Sequence, residues 1–88
     1  MRIHIDHKVP GGKLLRIDAE VDNDIIKSVK LTGDFFIYPE KGVVLLERAL
    51  QGKRISDIEE TFYKVLKKNK LRVIGFDGSD LFEAFSRL

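Results

Sequence analysis

Three side chains near the start of the chain are of types that bind divalent metals: His4, Asp6 and His7. His4 and Asp6 are two residues apart in an alternating segment, so they share one face of a strand, and His7 lies on the opposite face. Zinc sites need three or four converging ligands, and no third ligand is visible in the sequence. We therefore expect a solvated strand face here and no metal site.

Gly11-Gly12-Lys13 is a second candidate, because consecutive glycine N–H groups followed by a lysine can cradle an anion such as phosphate. The spacing does not match the GxxxxGK(S/T) loop of nucleotide-binding proteins, and a strand rather than a helix follows. With Pro10 in front, the segment is typical of a β-turn. An anion contact by Lys13 remains the alternative.

A cluster of basic side chains late in a helical segment is a candidate nucleic-acid-binding surface: Lys64, Lys67, Lys68, Lys70 and Arg72. Acidic residues open the same segment, so acids and bases sit at the helix ends where the helix dipole favours them without any ligand. The net charge is only +2, and no aromatic residue interleaves the cluster as a base-stacking platform would. We expect no nucleic-acid partner; a small basic RNA-binding module is kept as an alternative.

The sequence does not assemble a serine, histidine and carboxylate group, so we expect no catalytic residue. It contains no cysteine, which excludes thiolate nucleophiles, disulfides and iron–sulfur ligation. No apolar run approaches the roughly 18 residues of a membrane-spanning helix, and the N-terminus lacks the apolar region of a signal peptide. We expect one cytoplasmic domain over residues 1–88 with no membrane partner.

The strands that position these residues follow from hydrophobic alternation. Alternation over residues 1–9 and 13–21 predicts two strands joined by the Pro10 turn, and Asn23-Asp24 suits a tight hairpin into a third strand over residues 25–37. Ile26 and Val29 fall on opposite parities, which indicates either a bulge near residues 27–28 or packing of Ile26 at the sheet edge.

The period changes to that of helices after Pro39. One helix is predicted to end near Gly52, a second begins at a Ser56–Glu59 capping box and runs to about residue 69, and a short third helix ends at Leu88. The fold class is therefore α+β, a three-stranded antiparallel meander followed by about three helices packed on one face.

Two adjacent phenylalanines in the segment LTGDFFIYP pose a packing problem, since neighbouring strand residues point to opposite faces. Phe35 shares the parity of the core residues, whereas Phe36 is the apolar member of a polar face. Phe36, with Asp34 and Tyr38, is therefore a candidate anchor for a partner protein. The alternative is that the chain turns at Pro39 and the helices cover both rings.

The sequence resembles the C-terminal accessory domain of lipoate-protein ligases, and specifically the archaeal form in which that domain is a separate small subunit. The resemblance covers nearly the whole chain. It rests on three segments, Lys8-Val9-Pro10-Gly11-Gly12-Lys13-Leu14, Thr32-Gly33-Asp34-Phe35-Phe36 followed by Pro39, and Ala49-Leu50-Gln51-Gly52. Within them we take Pro10, Gly11, Gly12, Gly33, Phe35 and Pro39 as structural.

The resemblance implies a function that composition alone does not give. Such ligases activate lipoate with ATP to lipoyl-AMP and transfer the lipoyl group to a lysine on lipoyl domains of 2-oxoacid dehydrogenase complexes. The resemblance also implies that a catalytic subunit binds lipoate, ATP and magnesium. This chain would form a heterodimer with that subunit. It would be required for activation but would not itself be catalytic. The fold would be similar to that of small iron–sulfur scaffold and sulfur-acceptor proteins, so a cysteine-free scaffold-like interaction protein is a further alternative.

Overall fold

A computed structural model describes residues 1–11 and 13–87 of the chain. The structure has five strands and three helices within those residues, with a 3-10 turn at Ile55–Asp57 before α2. In chain order they are β1 (Arg2–Lys8), β2 (Leu14–Asp22), β3 (Ile25–Gly33), β4 (Phe36–Tyr38), α1 (Gly42–Leu50), α2 (Ile58–Asn69), β5 (Arg72–Ile74) and α3 (Gly78–Ser86).

The first three strands form an antiparallel meander in the order β1-β2-β3, as the alternation predicts. Asn23 and Asp24 adopt positive φ angles of 50° and 64°, which suit the two central positions of a tight hairpin. Helices cover one face of this sheet, and the predicted α+β class is confirmed. The most deeply buried aliphatic side chains come from both layers: Ile17, Ile26, Leu46, Leu50, Ile58 and Leu81.

A bulge in β3 explains the change of parity between Ile26 and Val29. Glu20 pairs with Ser28 and the next residue, Val21, pairs with Ile26, so Lys27 is the extra residue between two ladder positions. The bulge lets Ile26 enter the core while later residues of β3 keep their own alternation. Of the two interpretations of this segment, the bulge is correct.

The predicted third strand is too long. β3 ends at Gly33, and after a bend at Asp34 the chain enters β4, which belongs to a separate two-stranded sheet with β5. Leu71 to Phe76 is short and apolar in the sequence, but only the tertiary pairing turns part of it into a strand. The sheet of three and the ribbon of two meet at the Gly33–Phe35 corner.

The helices begin and end close to the predicted positions, with one wrong start signal. Gly52 follows α1 with a φ of +84°, as predicted for a helix-terminating glycine. The Ser56–Glu59 capping box does not form, because Ser56 lies inside the 3-10 turn and α2 starts after Asp57 without a side-chain cap. The capping box is at α3 instead, where Asp77 and Asp80 exchange hydrogen bonds. Leu88, predicted in this helix, lies outside the described residues.

Candidate functional site

The two glycine-containing motifs of the sequence lie side by side at one end of the sheet. The Val9 N–H donates to the Lys13 carbonyl at 2.8 Å and closes the turn between β1 and β2. The Asp34 N–H donates to the carbonyl of Leu14, also at 2.8 Å, so the bend after β3 is fastened to the first residue of β2. This end of the molecule, residues 8–14 and 33–36 without Gly12, is called the motif end below.

Two glycines, Gly33 in the motif end and Gly75 beside it, are required because other backbone segments approach them closely. Gly33 has a φ of +131°, and a Cβ there would collide with the Leu14 carbonyl oxygen that accepts from Asp34. Gly75, with a φ of +117°, passes so close to the bend that a Cβ would lie 2.9 Å from both the Asp34 oxygen and the Phe35 Cβ. No L-residue with a side chain fits either position without moving backbone, which accounts for the glycine of GDFF.

The two phenylalanines have separate environments. Phe35 is partly buried, packs against the core and meets Phe76 edge to face with ring centroids 5.1 Å apart. Phe36 is 62% exposed, so the helices do not cover it. Parity therefore places the two rings correctly, even though the strand is broken between them.

An exposed face on the β4–β5 ribbon surrounds Phe36. Phe36 pairs with Ile74 and Tyr38 with Arg72, and directly opposed residues of an antiparallel pair share one face. Tyr38 is 51% and Ile74 49% exposed, and the rings of Phe36 and Tyr38 stack with centroids 6.4 Å apart at 17°. Phe36, Tyr38, Arg72 and Ile74 are called the ribbon face below. It holds half of the six large apolar side chains that are exposed among the described residues.

The ribbon face is held rigidly from behind. Ile37 is buried on the inner side of β4, and Val73 opposite it packs against the core. Gly42, the first residue of α1, approaches so closely that a Cβ would lie 2.6 Å from Ile37 and 2.9 Å from Leu71. A rigid, preorganised apolar surface loses little conformational entropy when a partner covers it.

The two polar candidates at the motif end, Lys13 and Asp34, have no oppositely charged side chain beside them among the described residues. Lys13 and Asp34 are both exposed, and neither side chain takes part in an ion pair within the described residues. Asp34 fastens the bend through its backbone N–H rather than its carboxylate. Gly11 has a φ of +101° in the turn, and Gly12, predicted as part of it, lies outside the described residues. The anion contact of Lys13 stays a prediction.

The metal candidates form a hydrogen-bonded cluster on the solvent face of the sheet. Nδ1 of His4 lies 2.7 Å from Asp18 on β2, and Nε2 lies 2.9 Å from Asp6. The hydrogen bond with Asp18, helped by the charge of Asp6, raises the pKa of His4 above its ordinary 6.5. No group of three or more side chains suited to a metal ion occurs in residues 1–11 and 13–87.

His7, on the opposite face of β1, is buried to 1% exposure. Neither ring nitrogen has a hydrogen-bond partner within the part of the chain that the structure describes. A buried polar group without a partner costs stability. His7 is therefore a packing residue rather than a ligand in the described surroundings.

The structure places only part of the basic cluster on α2: Lys64, Lys67 and Lys68 lie on the helix, whereas Lys70 caps its C-terminus and Arg72 lies on β5. Glu60 pairs with Lys64 one turn later at 2.9 Å, which lowers the pKa of Glu60. Lys67 and Lys68 occupy the last turn, where the helix dipole favours positive charge. Nothing in this geometry adds to the case for nucleic acid. None of the helices within the described residues is long and apolar enough to cross a membrane.

The meander, the helical layer and the open ribbon face define a small α+β domain with an exposed apolar face. A family model described as "Bacterial lipoate protein ligase C-terminus" matches residues 1–84. The chain belongs to this family, and the resemblance carried by PGGK and GDFF is confirmed.

Two individual proteins are similar to this chain. It is 38% identical over 53 residues to "Lipoate-protein ligase A subunit 2" of Thermoplasma acidophilum, a match that spans 57% of this chain and only 56% of that subunit. Its structure superposes with a TM-score of 0.80 and 26% identity on a chain from a structural analysis of "a bi-partite lipoate protein ligase and its E2 lipoyl domain from Thermoplasma acidophilum". That superposition covers 96% of this chain and 93% of the other, so the two folds coincide nearly end to end.

The sequence did not identify every residue of the exposed face. Asp34, Phe36 and Tyr38 were expected there, and the structure keeps all three exposed. Arg72 and Ile74 were missed because they reach the face only through pairing with a strand more than thirty residues earlier. The alternation of three residues, Arg72-Val73-Ile74, is too short a signal to predict that pairing.

Proposed function

We propose that this chain is the non-catalytic accessory subunit of a two-part lipoate-protein ligase. Its membership of the ligase C-terminal family supports this, as does its similarity to a protein named as a ligase subunit. The observation that carries the proposal is the near end-to-end match to one chain of a bi-partite ligase, because in a two-part enzyme the other chain supplies the remaining parts.

The ribbon face is the surface through which the chain docks on the catalytic subunit. Three large apolar side chains on one rigid face form an anchor of the kind found at interface centres, where aromatic residues contribute most. Arg72 at the edge supplies a charged group beside the apolar centre, an arrangement common at interfaces. Asp34 lies next to this face at the bend and completes the set.

The reaction itself explains why a docking subunit is needed. In the activation step the lipoate carboxylate attacks the α-phosphorus of ATP, forms lipoyl-AMP and releases pyrophosphate. Two anionic groups must be brought together, and this is favoured in a site that excludes water and holds both in position. A small domain closing over the site supplies such exclusion. We propose that Lys13, which is exposed at the motif end, adds a positive charge near the triphosphate of ATP.

The transfer step has the opposite requirement. The amine of a lysine on a lipoyl domain attacks the carbonyl of lipoyl-AMP and releases AMP, so the site must admit a whole protein. The accessory subunit therefore moves relative to the catalytic subunit between the two steps. Lipoate, ATP and magnesium are bound by the catalytic subunit, and the complex acts in the cytoplasm as a heterodimer.

The test is formation of lipoyl-AMP by the catalytic subunit with and without this chain. We expect activation to need the chain, and we expect transfer from chemically prepared lipoyl-AMP to depend on it far less. Equal rates of activation in both samples would refute the proposal. Activation that needs the chain but is insensitive to changes on the ribbon face would refute only the docking assignment.

A further inference from the structure

The first strand of the sheet has an open hydrogen-bonding edge. Met1 and Val21 exchange two backbone hydrogen bonds of 2.9 Å, and the Val9 N–H donates to Lys13. Bonded positions alternate along an antiparallel pair, so the odd-numbered residues of β1 bond to β2. The backbone groups of Arg2, His4, Asp6 and Lys8 therefore point away from the sheet, and no hydrogen bond to them occurs within the described residues.

The opposite edge of the same sheet is covered. Near its start, β3 exchanges hydrogen bonds with the segment after α1, from Ile26 N–H to Lys53 and from Gly52 N–H to Ile26. Farther along, the Leu31 N–H donates to the Glu47 carboxylate at 2.8 Å. The fold thus closes one edge with a loop and a side chain, whereas the backbone edge of β1 is uncovered among the described residues and is protected only by the charges of Arg2, Asp6 and Lys8. β1 contains neither a proline nor a bulge, both of which keep an edge strand from pairing with another strand.

The side chains of β1 favour pairing with the β1 strand of a second copy of the chain. In a two-fold antiparallel pair centred on His4, Arg2 of each copy lies opposite Asp6 of the other, so opposite charges meet twice. On the core side the same register sets Ile3 opposite Ile5, two β-branched residues that pair well across strands. The register centred on Ile5 sets Arg2 opposite Lys8, although it also sets His4 opposite Asp6, and the register centred on Ile3 sets Arg2 opposite His4, so each brings two basic side chains together twice. The His4-centred register does so only once, where the two His4 rings face each other.

We propose that the chain forms a symmetric dimer by pairing β1 with β1 of a second copy in the His4-centred register. The result is a continuous six-stranded sheet in the order β3-β2-β1-β1-β2-β3. β1 lies two strands away from β3, which leads into the ribbon, a separation of about 10 Å. Self-pairing therefore leaves the ribbon face free, and two of the heterodimers proposed above can associate through β1 without disturbing either docking surface.

The pairing is tested with the full chain by sedimentation equilibrium from about 10 μM to about 1 mM, since a pairing of one short strand gives a weak dimer. We expect the mass to approach twice that of the monomer as the concentration rises. Amide hydrogen exchange supplies a site-specific readout. The outward amides of Arg2, His4 and Asp6 should exchange more slowly at high concentration, whereas the amide of Lys8, which has no residue opposite it in this register, should not change. The amides of Ile3 and Ile5 are protected throughout.

Proline at His4 is the sharpest variant, because it removes an N–H that faces away from the sheet and leaves the β1–β2 ladder intact. His4→Pro should abolish the dimer, and His4→Ala, which loses the side chain but keeps the N–H, should retain it. Arg2→Asp sets two like-charge pairs together and should weaken the dimer by about 2- to 30-fold. Adding Asp6→Arg to that variant should restore it.

Each outcome has one meaning. A monomer at every concentration overturns the proposal, and so does a dimer that His4→Pro leaves unchanged. A dimer that is insensitive to Arg2→Asp overturns the register. If His4→Pro fails to fold, as judged by thermal unfolding, the charge variants and the amide exchange still decide the question. The oligomeric state does not depend on whether the chain assists lipoate activation, so failure of one proposal leaves the other standing.

Discussion

Replacing Phe36 by alanine should weaken docking on the catalytic subunit and leave the fold almost unaffected. A phenylalanine side chain offers about 150–250 Å² of surface, so with 62% exposed roughly 125 Å² is available to a partner. At about 25 cal/mol per Å², covering all of it stabilises the complex by about 3 kcal/mol, or about 150-fold in Kd. If the partner covers only part of the Phe36 ring, the expected loss of affinity falls to about 10-fold. The stability of the free chain should change by less than about 1 kcal/mol.

Two control variants separate docking from folding. Phe35→Ala removes the ring that packs on Phe76, so it should lower the free energy of unfolding by about 2–3 kcal/mol while the ribbon face stays complete. Val44→Ala trims an exposed apolar side chain of α1 outside the ribbon face and should change neither property. The assays are calorimetric titration against the catalytic subunit and thermal unfolding of the free chain.

Three results would contradict the proposed docking surface or the separate roles of the two rings. If Phe36→Ala binds the catalytic subunit as tightly as the wild type does, the ribbon face is not the docking surface. If Phe36→Ala unfolds as readily as Phe35→Ala, the two rings do not have the separate roles that their burial indicates. A loss of affinity in Val44→Ala as large as in Phe36→Ala would move the interface to α1.

Three further perturbations test the structure around the site. Gly33→Ala should destabilise the chain by about 2 kcal/mol or more, because it combines a positive φ with a backbone collision. Gly52→Ala is the control, since the new Cβ meets open space and the substitution should cost less. Equal melting temperatures of the two variants would contradict this expectation. His7→Leu should raise the melting temperature by about 4–8 °C, since it replaces a buried imidazole that has no partner among the described residues, and a lower melting temperature would contradict it. The raised pKa of His4 means that its contribution to stability is present below pH 6.5 and is lost as the pH rises through the raised value. His4→Gln should therefore lower the melting temperature more under acidic than under alkaline conditions, and an NMR titration of His4 should show its pKa falling in Asp18→Asn.

Local patterns in the sequence predict the meander well. Alternation defines β1 and β2, and Asn23-Asp24 sets the hairpin that follows. These signals suffice because they act between neighbours in the chain: side-chain direction alternates, and a tight turn needs residues that tolerate positive φ. The bulge in β3 is also local, since a shift of parity can be seen directly in the sequence.

Tertiary contacts decide what the sequence does not predict. Parity continues unbroken through Gly33 to Ile37, so nothing local marks the end of β3. The break comes from the approach of Gly33 to Leu14 and from the pairing of β4 with β5. The Ser56–Glu59 motif is locally a good helix start, yet a 3-10 turn takes its place. Phe36 was identifiable because parity sets it on a polar face, whereas Ile74 became part of the same face only through non-local pairing.

The most direct test of the proposed role measures lipoyl-AMP formation by the catalytic subunit alone, with the wild-type chain, and with Phe36→Ala. We predict no activation by the catalytic subunit alone and full activation with the wild-type chain. With Phe36→Ala we predict reduced activation that recovers when the variant's concentration is raised above its weakened Kd. Full activation by the catalytic subunit alone would contradict the account.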